Sequence, residues 1–217
     1  MALLVLGATG GTGSKVVALA LAEGHEVVAL VRNPAKLPSH ERLTALQGSL
    51  TDPHAIDNAM SCKKKIAAVI NVAGRRPYDK DPSPLMPVVL ERVLEAMRKH
   101  GVKRYVHQLG AATRVEGHAD APWMSIIKPI LTWLPLGADL ALAENDKVAT
   151  MIKDITDVDW ICTRPAFIRD GEPGMVLRGV DPPTLATITF EALARWSLDA
   201  AFDPESPTDD GRNLCGP

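Results

Sequence analysis

A glycine-rich turn near the start of the chain constrains the fold more than any other feature. Residues 1–6 (MALLVL) predict a buried strand, residues 7–13 (GATGGTG) a turn, and residues 14–22 (SKVVALALA) a helix. Such a turn presents backbone N–H groups at the positive end of a helix dipole, which is what a pyrophosphate requires. The spacing is G-x-x-G-x-x-G rather than G-x-G-x-x-G, but the strand before it and the helix after it favour dinucleotide binding over an ordinary turn.

Each glycine of the turn has an expected role. Gly7 makes the tight turn, Gly10 and Gly11 let the backbone approach the pyrophosphate, and Gly13 lets the helix pack closely against the first strand. The residues predicted to bind the pyrophosphate or to shape the turn around it are Gly7, Thr9, Gly10, Gly11, Thr12 and Gly13.

Composition predicts one globular domain over residues 1–217, because 46% of the residues are hydrophobic and 23% are charged. The formal net charge is -2, which argues against nucleic acid or an anionic membrane surface as a partner. No apolar stretch reaches the ~20 residues of a membrane helix, and no signal peptide is recognised, so a cytoplasmic location is expected.

Cysteine usage agrees with that location. Cys62, Cys162 and Cys215 have neither the spacing of metal ligands nor that of a disulfide framework. We therefore expect reduced thiols and no metal site.

Strand and helix patterns alternate along the chain. Strands are predicted at 1–6, 25–31, 43–47, 66–72, 103–107 and 159–163, with weaker extended pieces at 175–177 and 212–215. Helices are predicted at 14–22, 53–59 (with Asp52 as N-cap), 87–100, 138–155 and 190–198. This alternation predicts an α/β fold with a doubly wound parallel sheet (a Rossmann fold) and a small C-terminal extension on the substrate side, with ligands at the carboxyl ends of the strands.

Several short motifs, in this order, resemble one protein family. They are the glycine turn, 31–34 (VRNP), 48–52 (GSLTD), 71–74 (NVAG), 109–111 (LGA) and 159–165 (DWICTRP). The set resembles the atypical short-chain dehydrogenases/reductases of the NAD(P)H-binding, NmrA-like type, in which biliverdin reductase B (flavin reductase) is similar in size and layout. The resemblance implies a Rossmann fold and a nicotinamide cofactor, and it does not identify an activity.

The residue that follows the second strand predicts whether the cofactor is NAD(H) or NADP(H). NAD-preferring relatives carry a carboxylate there for the ribose 2′-hydroxyl, whereas this chain has Arg32. A guanidinium suits a 2′-phosphate, so NADP(H) is predicted in preference to NAD(H), with Lys36 as a helper; the alternative is a solvated surface arginine. The family's aspartate near the adenine is replaced by Ser49.

Other cofactor contacts follow from the resemblance. The loops after the third, fourth, fifth and sixth strands are expected to frame the adenine and the nicotinamide. Their predicted contact residues are Ser49, Leu50, Val72, Ala73, Gly74, Arg75, Gln108 and Pro165. Arg75 and Arg76 are expected either to hold a phosphate or acidic substrate or to solubilise the loop.

The family's catalytic Tyr-x-x-x-Lys pair is absent. Lys147 falls where the lysine belongs, Ala143 stands in the tyrosine position, and His107–Gln108 replaces a serine pair. Three interpretations remain open: direct hydride transfer with a proton from water, replacement residues, or cofactor binding without chemistry.

The first candidate for a replacement catalytic residue is His107, which would act as an acid or as a hydrogen-bond donor. The alternative is that His107 has only a structural role. Lys147 is predicted to bind the nicotinamide ribose. The alternative is that it is an ordinary lysine on the helix surface. Thr113 is a weaker candidate for the missing serine hydroxyl, and Glu144 and Asp146 are expected to be solvated.

Residues 114–137 are apolar and interrupted by prolines, so they predict a bent flap over the substrate, with a homodimer contact or core packing as the alternative. Phe167 and Ile168 supply a second apolar wall. The sequence thus predicts an NADP(H)-dependent oxidoreductase for a hydrophobic small molecule, of aromatic or conjugated carbonyl or quinone-like type. The alternatives are a cofactor-sensing protein without turnover and an isomerase- or dehydratase-like enzyme.

Overall fold

The structure is a computed structural model, and it describes residues 1–63, 65–75, 81–114, 126, 129–130, 133, 138–165, 167–171, 187–203 and 214–215. The strands are β1 (Ala2–Leu6), β2 (Glu26–Val31), β3 (Leu43–Gln47), β4 (Ile66–Asn71), β5 (Arg104–Gln108), β6 (Asp159–Thr163), β7 (Phe167–Arg169), β8 (Thr187–Thr189) and β9 (Leu214–Cys215). The α-helices are α1 (Gly11–Ala22), α2 (Pro53–Ser61), α3 (Met86–His100), α4 (Ala138–Ile152) and α5 (Phe190–Phe202), and a short 3₁₀ helix covers Pro34–Lys36.

Among the described residues, seven strands form one parallel sheet in the order β3-β2-β1-β4-β5-β6-β9. The chain reverses its direction of winding between β1 and β4, so the carboxyl ends of these two strands flank the point where ligands bind in doubly wound folds. The predicted α/β Rossmann architecture is confirmed. Every residue of β1 is buried, as expected for a central strand covered on both faces.

Helices cover both faces of the sheet. One face packs against α2, α3 and α4, and its core includes Leu4, Leu6 and Trp160. The opposite face packs against α1 and α5, with Leu3 and Val5 at its centre. Because side chains alternate along a strand, β1 supplies both cores from adjacent positions.

The ends of several helices follow from local chemistry. The carboxylate of Asp52 accepts a hydrogen bond of 2.9 Å from the N–H of His54, and Pro53 begins α2, as predicted. The hydroxyl of Thr189 accepts from the N–H of Ala192 and caps α5. Gly101 ends α3 in the left-handed region, at φ +68°.

Two features of the C-terminal part differ from the sequence prediction, and a third prediction is not tested. β7 and β8 form a separate two-stranded parallel sheet that was not predicted, because three-residue strands with a distant partner leave no periodic signal. α5 continues to Phe202 instead of ending near residue 198. The extended piece predicted at 175–177 lies outside the described residues.

In the described part of the chain, no helix combines the length and apolar character needed to cross a membrane. The same residues contain no cluster of three or more potential metal ligands, and neither Cys62 nor Cys162 forms a disulfide bond within them.

Candidate functional site

Gly7 and Gly13 shape the turn between β1 and α1. The N–H of Gly10 donates to the carbonyl of Gly7 at 2.9 Å, and Gly7 has φ +83°. A Cβ on Gly13 would lie 2.1 Å from the Gly7 oxygen, and a Cβ on Gly7 would lie 2.6 Å from the Ala73 nitrogen. All of these are backbone contacts that cannot move aside easily, so the turn accepts only glycine at both positions.

α1 begins with the backbone N–H groups of Gly11, Thr12 and Gly13, and no side chain in the described part of the chain caps them. The N-cap residue Gly10 has no side chain to cap the helix, and the first turn contains no acidic residue. By contrast, the first turns of α2, α3 and α5 each receive a side-chain oxygen. Within the described residues, α1 therefore presents open donors and a positive dipole end at the carboxyl edge of the sheet.

A side chain of the protein occupies the space beside Gly11, where the sequence predicts room for a ligand. We expected the absence of a Cβ at Gly11 to leave room for a pyrophosphate. The ring of Phe190 occupies that room, since a Cβ on Gly11 would lie 2.5 Å from it. Gly11 is therefore also required for α5 to pack beside α1.

Arg32 follows β2 at the same edge of the sheet. Its side chain is exposed, and it forms no ion pair with any residue that the structure describes. The N–H of Gly48 donates to the Val31 carbonyl at 3.0 Å, which brings Ser49 beside the end of β2. Ser49 and Lys36 are also exposed, and Leu50 is half-buried. The guanidinium is free to receive an anion at the position where the sequence predicts one.

The loop after β4 borders the glycine turn. The N–H of Val72 donates to the carbonyl of Leu6 at 3.0 Å, and the N–H of Ala73 donates to the side-chain oxygen of Asn71 at 3.1 Å. Val72 and Ala73 are half-buried and Gly74 is exposed. These three predicted contact residues thus lie next to the uncapped end of α1.

The exits of β5 and β6 run side by side. The N–H groups of Leu109 and Ala111 donate to the carbonyls of Thr163 and Pro165, at 2.8 and 3.0 Å. The buried guanidinium of Arg164 donates to the carbonyls of Ala111 and Thr113, at 3.3 and 2.6 Å. Arg164, which the sequence did not single out as a site residue, therefore fixes the loop after β5.

The side chains of Thr113 and Gln108, in the segment at the end of β5, differ in their hydrogen bonding. The Thr113 hydroxyl accepts a hydrogen bond from the N–H of Gly110, so it supports the loop and is fully buried. The Gln108 side-chain oxygen is buried without a hydrogen-bond partner in the described structure. A buried acceptor without a partner is costly, and a ligand donor at the end of β5 would relieve that cost.

Arg75 has a structural role, in contrast to the sequence prediction that it contacts the cofactor. Its side chain is only 2% exposed, and it donates to the carboxylate of Glu144 at 2.5 Å and to the carbonyls of Asp81 and Ser83 at 2.7 Å. The two terminal nitrogens of the guanidinium thus already donate to oxygen atoms of the chain. Arg76 lies outside the described residues.

Glu144 is buried, which corrects the expectation that it is solvated. Besides pairing with Arg75, it accepts hydrogen bonds from the N–H groups of Leu85 and Met86 at 2.6 and 3.5 Å. The carboxylate thereby caps α3 and ties α4 to the loop after β4. The sequence missed this role because the arginine and the glutamate are 69 positions apart.

The other predicted residues of α4 lie nearer the surface. Lys147 and Ala143 are exposed, and the Asp146 carboxylate accepts a hydrogen bond of 2.5 Å from the N–H of Arg114. The proposed contact of Lys147 with a ribose stays a prediction. Most of the predicted flap at 114–137 lies outside the described residues, within which Ile126, Ile130 and Trp133 are exposed. Phe167 is half exposed, and Ile168 packs on the small core of β8 and α5.

His107 is buried in a chain of hydrogen bonds. Its Nδ1 lies 3.0 Å from the hydroxyl of Tyr105, which also accepts a hydrogen bond of 3.0 Å from the side-chain amide of Asn71. Burial lowers the pKa of His107 to about 4 and raises the pKa of Tyr105 above its usual value. The ring is therefore neutral at pH 7, and the predicted role of His107 is restricted to that of a neutral hydrogen-bond donor.

The residues at this edge fit a nicotinamide dinucleotide. The turn at Gly7 and Gly13 is packed so closely that it leaves no room for a side chain. The first N–H groups of α1 are not capped by a side chain, and the Gln108 oxygen has no partner in the described structure. Backbone donors at a helix N-terminus bind a diphosphate, and the open Arg32 lies within the same edge.

Comparison with known proteins agrees with this geometry. Residues 7–204 match the model of a family described as NAD(P)H-binding. The "Photosystem II assembly factor Ycf39" of Guillardia theta is 38% identical over 111 residues, which are 49% of this chain and 34% of that protein. The "3 beta-hydroxysteroid dehydrogenase/Delta 5-->4-isomerase" of Mycobacterium tuberculosis is 30% identical over 186 residues, 82% of this chain and 45% of that protein. The chain thus spans less than half the length of these relatives.

One solved structure resembles nearly the whole chain. The structure described as "ChuY: An Anaerobillin Reductase from Escherichia coli O157:H7" has a TM-score of 0.73 at 20% identity, covering 94% of this chain and 92% of that chain. At this identity the similarity shows that the two proteins share their fold.

We predict that Glu144→Ala lowers the free energy of unfolding by about 3–5 kcal/mol, because it leaves the buried Arg75 guanidinium without its carboxylate. Glu95→Ala is the matched control, since it breaks an exposed pair with Arg92 and should cost less than about 1 kcal/mol. Urea denaturation measures both values. Equal losses in the two variants would contradict the structural role of Glu144.

We also predict that His107 makes stability depend on pH. Its folded-state pKa of about 4 lies below the ordinary value of 6.5, so the unfolded chain binds more protons between these two values. Its contribution to stability is complete above pH 6.5 and declines as the pH falls towards 4. Relative to His107→Phe, the wild type should lose about 2 kcal/mol more between pH 7 and pH 5. The exposed-histidine control His54→Gln should follow the wild type, and a pH response of His107→Phe equal to wild type would show that the buried ring is not responsible.

Proposed function

This chain belongs to the NAD(P)H-binding family, and from that premise we propose that it is an NADP(H)-dependent oxidoreductase that reduces a hydrophobic, conjugated carbonyl or quinone-like molecule. The observation that carries the proposal is the uncapped N-terminus of α1 beside a turn that admits only glycine at positions 7 and 13. A diphosphate is the ligand whose chemistry matches this combination.

The cofactor site is divided along the carboxyl edge of the sheet. The N–H groups of Gly11, Thr12 and Gly13 bind the diphosphate, and Arg32 binds the 2′-phosphate of the adenosine ribose. Ser49 and Leu50 lie on the adenine side. Val72 to Gly74, Gln108 and Pro165 border the nicotinamide, which when bound supplies a hydride to the substrate.

The proton chemistry differs from that of a Tyr-x-x-x-Lys enzyme. Ala143 has no proton to give, and the neutral His107 ring is a weak acid. Hydride transfer with a proton from water therefore fits these residues best, with His107 as a hydrogen-bond donor. The names of the relatives support a bulky or conjugated substrate, since one is a steroid dehydrogenase and a structural neighbour is described as an anaerobillin reductase.

A second candidate function is cofactor sensing without turnover. It is favoured by the missing catalytic pair and by a relative named as an assembly factor. An isomerase-like reaction that uses the bound cofactor transiently is consistent with the name of the mycobacterial relative.

Arg32→Ala should weaken NADPH binding by roughly 10- to 100-fold, which is the loss expected for charge-assisted hydrogen bonds to a phosphate. NADH binding should change less than about threefold, because NADH lacks the 2′-phosphate. Isothermal titration calorimetry with both cofactors gives the two dissociation constants.

The control for this variant is Arg42→Ala, which removes a partly exposed arginine just before β3, at the opposite edge of the sheet. It should leave both dissociation constants unchanged. An NADPH-to-NADH preference in Arg32→Ala equal to that of the wild type would refute the assignment of Arg32.

We expect the protein to consume NADPH with at least one member of a panel of flavins, quinones and aromatic ketones. The loss of absorbance of the reduced nicotinamide reports the reaction, and Gly13→Ala, which forces a Cβ against the Gly7 oxygen, should abolish it. Binding of NADPH without consumption across the panel would contradict the reductase and support sensing. Absence of binding would contradict both functions.

A further inference from the structure

The hydrogen bonds around His107 favour one direction, in which each buried donor has an acceptor. The N–H of Ala73 donates to the side-chain oxygen of Asn71 at 3.1 Å, so the Asn71 amide nitrogen faces the other way and donates to the Tyr105 hydroxyl at 3.0 Å. The Tyr105 oxygen accepts that bond. Among the described residues, Nδ1 of His107, at 3.0 Å, is the acceptor available to the buried Tyr105 proton, so we assign Tyr105 as the donor. Nδ1 is therefore an acceptor and carries no proton.

A neutral imidazole without a proton on Nδ1 carries it on Nε2. The two ring nitrogens point in diverging directions, so the Nε2–H bond points away from Tyr105. Among the described residues, the hydrogen bond of the His107 ring is the one at Nδ1, and none is formed by Nε2. The ring thus holds one unused donor, and its tautomer is fixed by its neighbours.

The chain of hydrogen bonds is tied to the cofactor site. Asn71 and His107 are register partners in the neighbouring strands β4 and β5, and both lie at the carboxyl ends. The first donor of the chain, Ala73, is the residue whose nitrogen fills the space beside Gly7. The position of the His107 ring is therefore linked through backbone contacts to the turn that we assign to the diphosphate.

We propose that Tyr105 and Asn71 are positioning residues that hold His107 in its Nε2-protonated tautomer, so that this N–H donates a hydrogen bond to the substrate carbonyl oxygen. The inference rests on the proposed reductase function. In the reaction the carbonyl carbon gains a hydride from the reduced nicotinamide, and the π electron pair of the C=O bond moves to oxygen. The oxygen takes a proton from water, which leaves as hydroxide; the carbonyl is reduced and the nicotinamide is oxidised. His107 keeps its proton and stabilises the charge that develops on oxygen.

Nitrogen-15 NMR of histidine-labelled protein tests the positioning claim without any substrate. The His107 signals are assigned by their loss in His107→Phe. At pH 7 we expect the Nε2-protonated tautomer in the wild type, and a mixture of both tautomers in Tyr105→Phe, which keeps the ring and removes the hydroxyl. An Nδ1-protonated wild type, or an unchanged tautomer in Tyr105→Phe, would overturn the proposal.

Steady-state kinetics test the donation. We expect kcat to fall by roughly 100-fold in His107→Phe, the loss typical of one removed oxyanion donor, and by about tenfold in Tyr105→Phe. The NADPH dissociation constant should stay within about twofold of wild type, and His54→Gln, an exposed histidine of α2, should match wild type. Wild-type kcat in both variants would refute donation by His107.

The NMR and kinetic experiments together distinguish failure of the proposed reductase function from failure of the proposed positioning of His107. If the wild type consumes no NADPH with any substrate while its tautomer is as expected, the reductase function and the donation fail, and the positioning of His107 stands. If turnover is present and the tautomer is the wrong one, the reductase function stands and the positioning fails.

Discussion

The structure depends on the close backbone contact between Gly7 and Gly13. The Gly7 oxygen lies within 2.1 Å of the position that a Cβ on Gly13 would occupy, so α1 packs onto β1 more closely than any side chain would permit. Gly7 in turn leaves space for the backbone of Ala73 after β4. Three elements therefore meet at one point, and the open N–H groups of α1 lie beside it. The proposed binding of a diphosphate, the proposed placement of the nicotinamide and the alignment of His107 all depend on this contact.

The parts of this fold that follow from local rules were predictable from the sequence. Continuous apolar runs predicted the central strands, Asp52 and Pro53 predicted the start of α2, and Gly101 predicted the end of α3. The interactions that join distant positions were not predictable in the same way. Nothing local indicates that Phe190 covers Gly11, that Glu144 neutralises Arg75, or that Tyr105 fixes the ring of His107. Their partners are set by packing of the finished sheet and its helices, and a single sequence contains no signal for such contacts.

The charges of the site are distributed according to burial. Arg75 follows β4 closely, yet its guanidinium is neutralised by Glu144 and by backbone carbonyls, while the guanidinium of Arg164 supports the loop after β5. Arg32, at the end of β2, is exposed and forms no ion pair among the described residues. A free cation at the predicted 2′-phosphate position, together with a neutral histidine near the predicted nicotinamide position, suits an enzyme in which the cofactor supplies the reducing equivalents and the protein supplies orientation and hydrogen bonds.

Backbone amide signals of the isotopically labelled protein, followed during titration with NADP⁺, show directly whether the N-terminus of α1 binds the cofactor. We predict that the largest saturable shifts occur at Gly11, Thr12 and Gly13, because their N–H groups become donors to the diphosphate. Saturable binding that leaves these three amides unshifted, or no binding at all, would contradict the central claim that α1 and the turn before it hold the cofactor.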